Sequence, residues 1–130
     1  MAPGPRIKLE GKSWWTGTQI AWSKVPRLSQ TITLRAESLV TADLHASWWS
    51  DAPPDNFRGV TIFASNKRLG FDEPNEGAMY IQNIASNTWT PLYTAQKDYL
   101  PAGTYEIYVA TAGKNILFDF PVLTVDVNPV

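Results

Sequence analysis

Along most of the chain apolar and polar side chains alternate with a period of two, the repeat of an extended strand with one buried face. Thr31-Ile32-Thr33-Leu34 puts Ile32 and Leu34 on one side. After a break at Ala36-Glu37-Ser38 the pattern resumes, with Val40, Ala42, Leu44, Ala46 and Trp48 on one face and Thr41, Asp43, His45, Ser47 and Trp49 on the other. A helical wheel fits neither run. Further strands are expected over residues 18–22, 59–65, 78–84, 88–95, 104–111 and 116–127. In the first long run among these Val60, Ile62 and Ala64 share a side; in 104–111 Tyr105, Ile107 and Val109 face one way and Tyr108 the other. About eight strands suffice for two packed sheets.

Ten prolines and eight glycines punctuate these runs. In Leu100-Pro101-Ala102-Gly103-Thr104 the proline presets φ and the glycine tolerates a positive one, which reverses the chain before a strand. Thr111-Ala112-Gly113-Lys114-Asn115 is expected to make a hairpin. Two longer loops, residues 50–57 and 70–77, are of a size that often carries recognition on a β scaffold. Residues 2–13 differ in kind. Pro3 and Pro5 forbid a helix, and Arg6-Ile7-Lys8-Leu9-Glu10 then alternates charge with aliphatic side chain. Two readings stand: a frayed end or local edge strand, or an arm that adds a strand to a neighbouring molecule and buries Ile7 and Leu9 while Arg6, Lys8 and Glu10 stay wet.

Composition narrows the function classes. The 130 residues form one domain of ordinary make-up, 44% hydrophobic, with a formal net charge of −1 that offers no basic field for a nucleic acid. No cysteine and a single histidine, His45, exclude thiolate clusters, disulfides and zinc sites within one chain. No apolar stretch approaches the roughly 20 residues of a membrane-spanning helix. The N-terminal residues lack the apolar segment of a leader, so synthesis in the cytoplasm is expected.

Catalytic chemistry finds little to work with. His45 lies mid-strand among Thr, Asp and Ser, the setting of a hydrogen-bonded surface group more than of a general base. Asp72, Glu73 and Glu76 share one loop but match no calcium-binding spacing, and Asp51 and Asp55 flank Pro53-Pro54 without a facing pair. No catalytic residue, cofactor or metal is expected.

Tryptophan is the unusual feature. Six occur, two pairs of them adjacent: Trp14-Trp15 and Trp48-Trp49. Strand neighbours point to opposite faces, so each pair turns one indole inward and one outward. Trp49, one of Trp14 and Trp15, and Tyr108 are therefore candidates for a subunit interface or a sugar platform.

The order of motifs resembles a known group. Trp22-Ser23-Lys24-Val25-Pro26-Arg27-Leu28-Ser29, then Arg58-Gly59-Val60-Thr61-Ile62-Phe63-Ala64 with Arg68-Leu69-Gly70, then Leu100-Pro101-Ala102-Gly103-Thr104-Tyr105 and Val122-Leu123-Thr124-Val125, resemble the small jelly rolls of the tumour-necrosis-factor and complement globular-head family. The resemblance, over roughly residues 14–127, implies an all-β, two-sheet antiparallel jelly-roll sandwich; with the N-terminal pattern, the expected division is an extended arm 1–13 and a jelly-roll domain 14–130. It further implies a homotrimer. Short stand-alone versions serve as bacteriophage head decoration and fibre proteins, so the expected role is a non-enzymatic virion structural protein whose arm grips a major capsid protein or other virion protein. A carbohydrate-binding module or fibre tip recognising a surface glycan is the alternative.

Overall fold

The computed structural model describes residues 7–9, 15–16, 19–20, 22–50, 58–70, 80–82, 87–113 and 116–130. Their chain order is β1 (Ile7–Leu9), β2 (Trp15–Thr16), β3 (Gln19–Ile20), β4 (Ser23–Leu34), β5 (Ser38–Ser50), β6 (Arg58–Ala64), β7 (Lys67–Arg68), β8 (Tyr80–Gln82), β9 (Thr90–Leu100), β10 (Gly103–Ala112) and β11 (Ile116–Pro129). Helix is absent among the described residues. One sheet has the order β1-β11-β5-β9 and the other β4-β10-β6-β7, with β8 sharing the same edge of β6 as β7; β2 and β3 form a separate ribbon. From β4 onward the chain passes back and forth between the two sheets, which is the winding of a jelly roll. All-β sandwich architecture is thus as the alternation implied. The expected hairpin at residues 111–115 is instead a crossover, because β10 and β11 belong to different sheets.

The faces of β5 follow the sequence pattern. Val40, Ala42, Leu44 and Trp48 are fully buried, and Trp48 stacks on Phe118 of β11 with ring centroids 6.3 Å apart. Val60, Ile62, Ile107 and Val109 supply the opposing layer. At one end this second sheet is buried on both sides, since Thr61, Phe63 and Ala110 are also covered.

The N-terminal segment finds its partner within the chain. Ile7, Lys8 and Leu9 pair with Phe118, Leu117 and Ile116, so β1 fills the outer place of the first sheet. The physical reason is the open edge of β11, whose unpaired backbone groups a short alternating segment satisfies. The sandwich therefore reaches back to Ile7 and does not begin at residue 14. Arg6 and Glu10 lie outside the described residues, as do the side chains of Ile7, Lys8 and Leu9.

Two bulges shape the long strands. In β4, Val25, Pro26, Arg27 and Leu28 stand against the single residue Val109. Pro26 has no N–H to give the ladder, Arg27 adopts φ +66°, and the detour buries Val25 and Leu28. In β11, Phe120 and Pro121 together face Ala46, between the pairs Asp119–Ser47 and Val122–His45. Pro121 goes inward, and Phe120, at φ +51°, is left exposed.

Gln96 closes one side of the sandwich. Along the edge of β6, β8 covers Arg58 to Val60 and β7 covers Phe63 and Ala64, leaving Ile62 between them. The Gln96 side chain, reaching across from β9, accepts from Ile62 N (2.9 Å) and from the Thr61 hydroxyl (3.0 Å) and donates to Leu69 O (2.8 Å). Two residues further along β9, the Asp98 carboxylate accepts from Gly70 N (3.2 Å) and pairs with Lys67 (3.0 Å). Gly70 is required here twice over: its φ is +88°, and a Cβ would stand 3.1 Å from Lys97 O.

Gln96→Leu keeps the volume and strips the amide, leaving Ile62 N and Leu69 O unpaired. At about 1–3 kcal/mol for each such buried group, a loss of roughly 2–4 kcal/mol is expected in urea unfolding, with no change in the circular dichroism of the folded state.

Candidate functional site

The outward positions of β5 and β9 form the most aromatic solvent-facing surface among the described residues. On β5 the outward side chains are Leu39, Thr41, Asp43, His45, Ser47 and Trp49; on β9 they are Pro91, Tyr93, Ala95, Lys97 and Tyr99. The register sets His45 beside Tyr93, Asp43 beside Ala95, Thr41 beside Lys97 and Leu39 beside Tyr99. Directly opposed side chains on one face touch, and the rings of His45 and Tyr93 meet with centroids 4.5 Å apart. Just ahead of β9, Trp89 packs against Trp49 at 6.4 Å. Even so, Tyr93 remains 51% exposed, Tyr99 57% and Trp89 40%.

These rings are held, not dangling. Tyr93 is set in an edge strand whose neighbour β5 is paired on both sides. His45 backs it on one side, and the Trp49–Trp89 pair stands beyond. The polar groups interleaved with them, Asp43, Ser47, Thr41 and Lys97, offer acceptors and donors at the same level. Rigid aromatic area of this kind costs little entropy when a ligand covers it.

The sequence expectations for Trp48 and Trp49 hold: the first is core, the second turns outward and is half-buried, partly by Trp89. Trp15 lies in the β2–β3 ribbon, paired with Ile20, and its side chain, like all of Trp14, is outside the described residues. The loop residues 51–57 and 71–79, with Asp51, Asp55, Asp72, Glu73 and Glu76, are outside them too. Among the described residues no cluster of His, Cys, Asp and Glu could hold a metal ion. Tyr93, Tyr99 and Trp89 were not singled out from the sequence, although Tyr93, Ala95, Lys97 and Tyr99 keep the period-two alternation that would have put them on one face.

Tyr108 belongs to the opposite surface. On the outer face of the second sheet its ring stacks on Phe63 (5.3 Å, nearly parallel), Trp22 meets Phe63 edge-on, and Lys24 sits 4.9 Å over the Tyr108 ring while pairing with Glu106. Trp22 Nε1 is buried there with no hydrogen-bond partner among the described residues. The Lys24–Glu106 pair is largely exposed and contributes little by itself; the stacked rings hold the cluster. Tyr108 is thus occupied by its own chain.

Burial raises the Tyr108 phenol above its ordinary value of 10.0, against the pull of Lys24 and with the help of Glu106. The folded state then keeps this proton at a pH where the unfolded chain has lost it, so the stabilisation is present below pH 10 and disappears as pH rises through the folded value. Tyr108→Phe, which cannot ionise, is expected to flatten the fall in stability above pH 10, as read by thermal melts in alkaline buffers.

No family model matches the chain, and no curated protein matches it in sequence. Among solved structures the chain is similar to the C-terminal domain of EclA, a sugar-binding protein, with a TM-score of 0.55 and 15% identity, over 97% of this chain and 80% of that one. At that identity the likeness is one of fold.

Proposed function

We propose that this protein is a non-catalytic carbohydrate-binding domain whose site is the outer face of the β5–β9 pair. The observation that carries the reading is Tyr93, a ring more than half exposed yet braced by His45, with Asp43 and Ser47 in the rows on either side and Lys97 two rows along β9. A pyranose has a C–H face and a hydroxyl rim. An open phenol covers the first, and carboxylate, hydroxyl and ammonium groups around it take the second. A subunit interface, by contrast, tends to lose charged groups at its centre, and Asp43 and Lys97 stand near the middle of this face. The sugar-binding character of the EclA domain, whose fold this chain shares, supports the same reading.

The virion role, the capsid partner and the homotrimer implied by the family resemblance gain no support from the comparisons. The segment expected to grip a capsid pairs with β11 along one of its two edges. A surface glycan is the partner the face fits.

A glycan array probed with the intact protein is expected to give a discrete set of binders, with quenching of tryptophan fluorescence on titration as Trp89 and Trp49 are covered. Tyr93→Ala should weaken the best binder at least tenfold, about 1.4 kcal/mol, and Tyr108→Ala, on the opposite sheet, should leave it unaffected. An array blank at all glycans, or a Tyr93→Ala variant that binds as the parent does, would refute the assignment.

A further inference from the structure

The outer face carries more than one ring station, and their spacing identifies the shape of the ligand. We infer that the site takes an uncharged, linear oligosaccharide or polysaccharide laid along β9, with Tyr99 as a distal station, and not a single terminal sugar. This rests on the carbohydrate reading above and adds to it the length and charge of the glycan.

Tyr93 and Tyr99 are both outward on one strand, about 20 Å apart at ~3.4 Å per residue. No single sugar ring touches both. Between them the outward positions are Ala95, too small to obstruct a chain, and Lys97. Their β5 neighbours are Asp43 and Thr41, so the floor between the two rings is low and polar. At the near end Trp89 lies a further ~14 Å before Tyr93 by the same strand spacing. The stations therefore alternate: indole, phenol, polar floor, phenol. That sequence matches a polymer whose C–H faces recur along its length with hydroxyls between.

Charge selects within that class. The carboxylates and ammonium groups facing out around the floor are Asp43 on β5, Lys97 on β9, and Asp119 and Asp126 on β11, Asp119 opposite Ser47 and Asp126 opposite Thr41. One ammonium against three carboxylates gives no field to draw a polyanion, and a uronic acid or sialic acid chain would meet Asp43 at the centre. A neutral chain meets no such penalty.

The test is calorimetric titration of the full chain with ladders of neutral linear oligosaccharides, from disaccharide to hexasaccharide, in the cello-, xylo-, manno- and chito-series, with oligogalacturonides of equal length as the charged control. In the series that binds, affinity is expected to rise at least tenfold from disaccharide to hexasaccharide, and Tyr99→Ala should remove that rise. Because Tyr99 is mostly exposed, the variant is expected to melt with the parent, which is checked alongside. Equal affinity for short and long members, an undiminished length dependence in Tyr99→Ala, or tighter binding of the oligogalacturonides would overturn the inference and leave the carbohydrate reading standing. Absence of binding by every ladder would overturn both.

Discussion

The double-sided pairing of β5 is the constraint on which the other features depend. Its thirteen residues are hydrogen-bonded to β11 on one side and to β9 on the other, almost from end to end. With a side-chain period of two, that ladder admits a single facing: a slip of one residue would send Trp48, Leu44 and Val40 into water and bring Asp43 and His45 into the core. The neighbouring strands inherit the facing through their register. The core, the braced His45–Tyr93 pair and the row of outward groups on β9 are therefore consequences of one hydrogen-bonded arrangement.

Alternation made much of this legible. The inward set of β5, the inward set of β6 and the outward turn of Tyr108 each follow from counting by two, and the structure keeps all three. What the count could not supply was which sheet each strand joins. Residues 111–115 have the chemistry of a hairpin, yet β10 and β11 separate because each is already paired on both sides with strands distant in sequence. The same limit applies to β1, whose alternating residues read equally well as an arm or as an edge, and it is the vacancy beside β11 that decides.

The binding face was only half visible for a related reason. Trp48 was recognisable as core and Trp49 as outward; what the pattern did not show was that Trp49 is packed against Trp89. The more open rings are tyrosines of β9, a strand expected to stop at residue 95 and found to run to Leu100. Its second half is held by Gln96 and Asp98, polar residues in a position that pattern alone assigns to apolar ones. A part-buried glutamine replacing a missing stretch of strand has no local signature; it is defined by the gap it fills on β6.

That glutamine also bears on how the molecule avoids its own kind. A long border strand is a template on which a second molecule can add its backbone, the usual route to edge-to-edge aggregation. On β9 the flank is guarded: Gln96 and Asp98 tie the Leu69–Gly70 segment after β7 to it, Gly70 lies close against the Lys97 carbonyl, and Pro91 withholds a donor near its start. The strand that displays its aromatic rings most openly to solvent is thereby shielded on its hydrogen-bonding rim around residues 96–98, where side chains can be offered for recognition without offering the backbone for polymerisation.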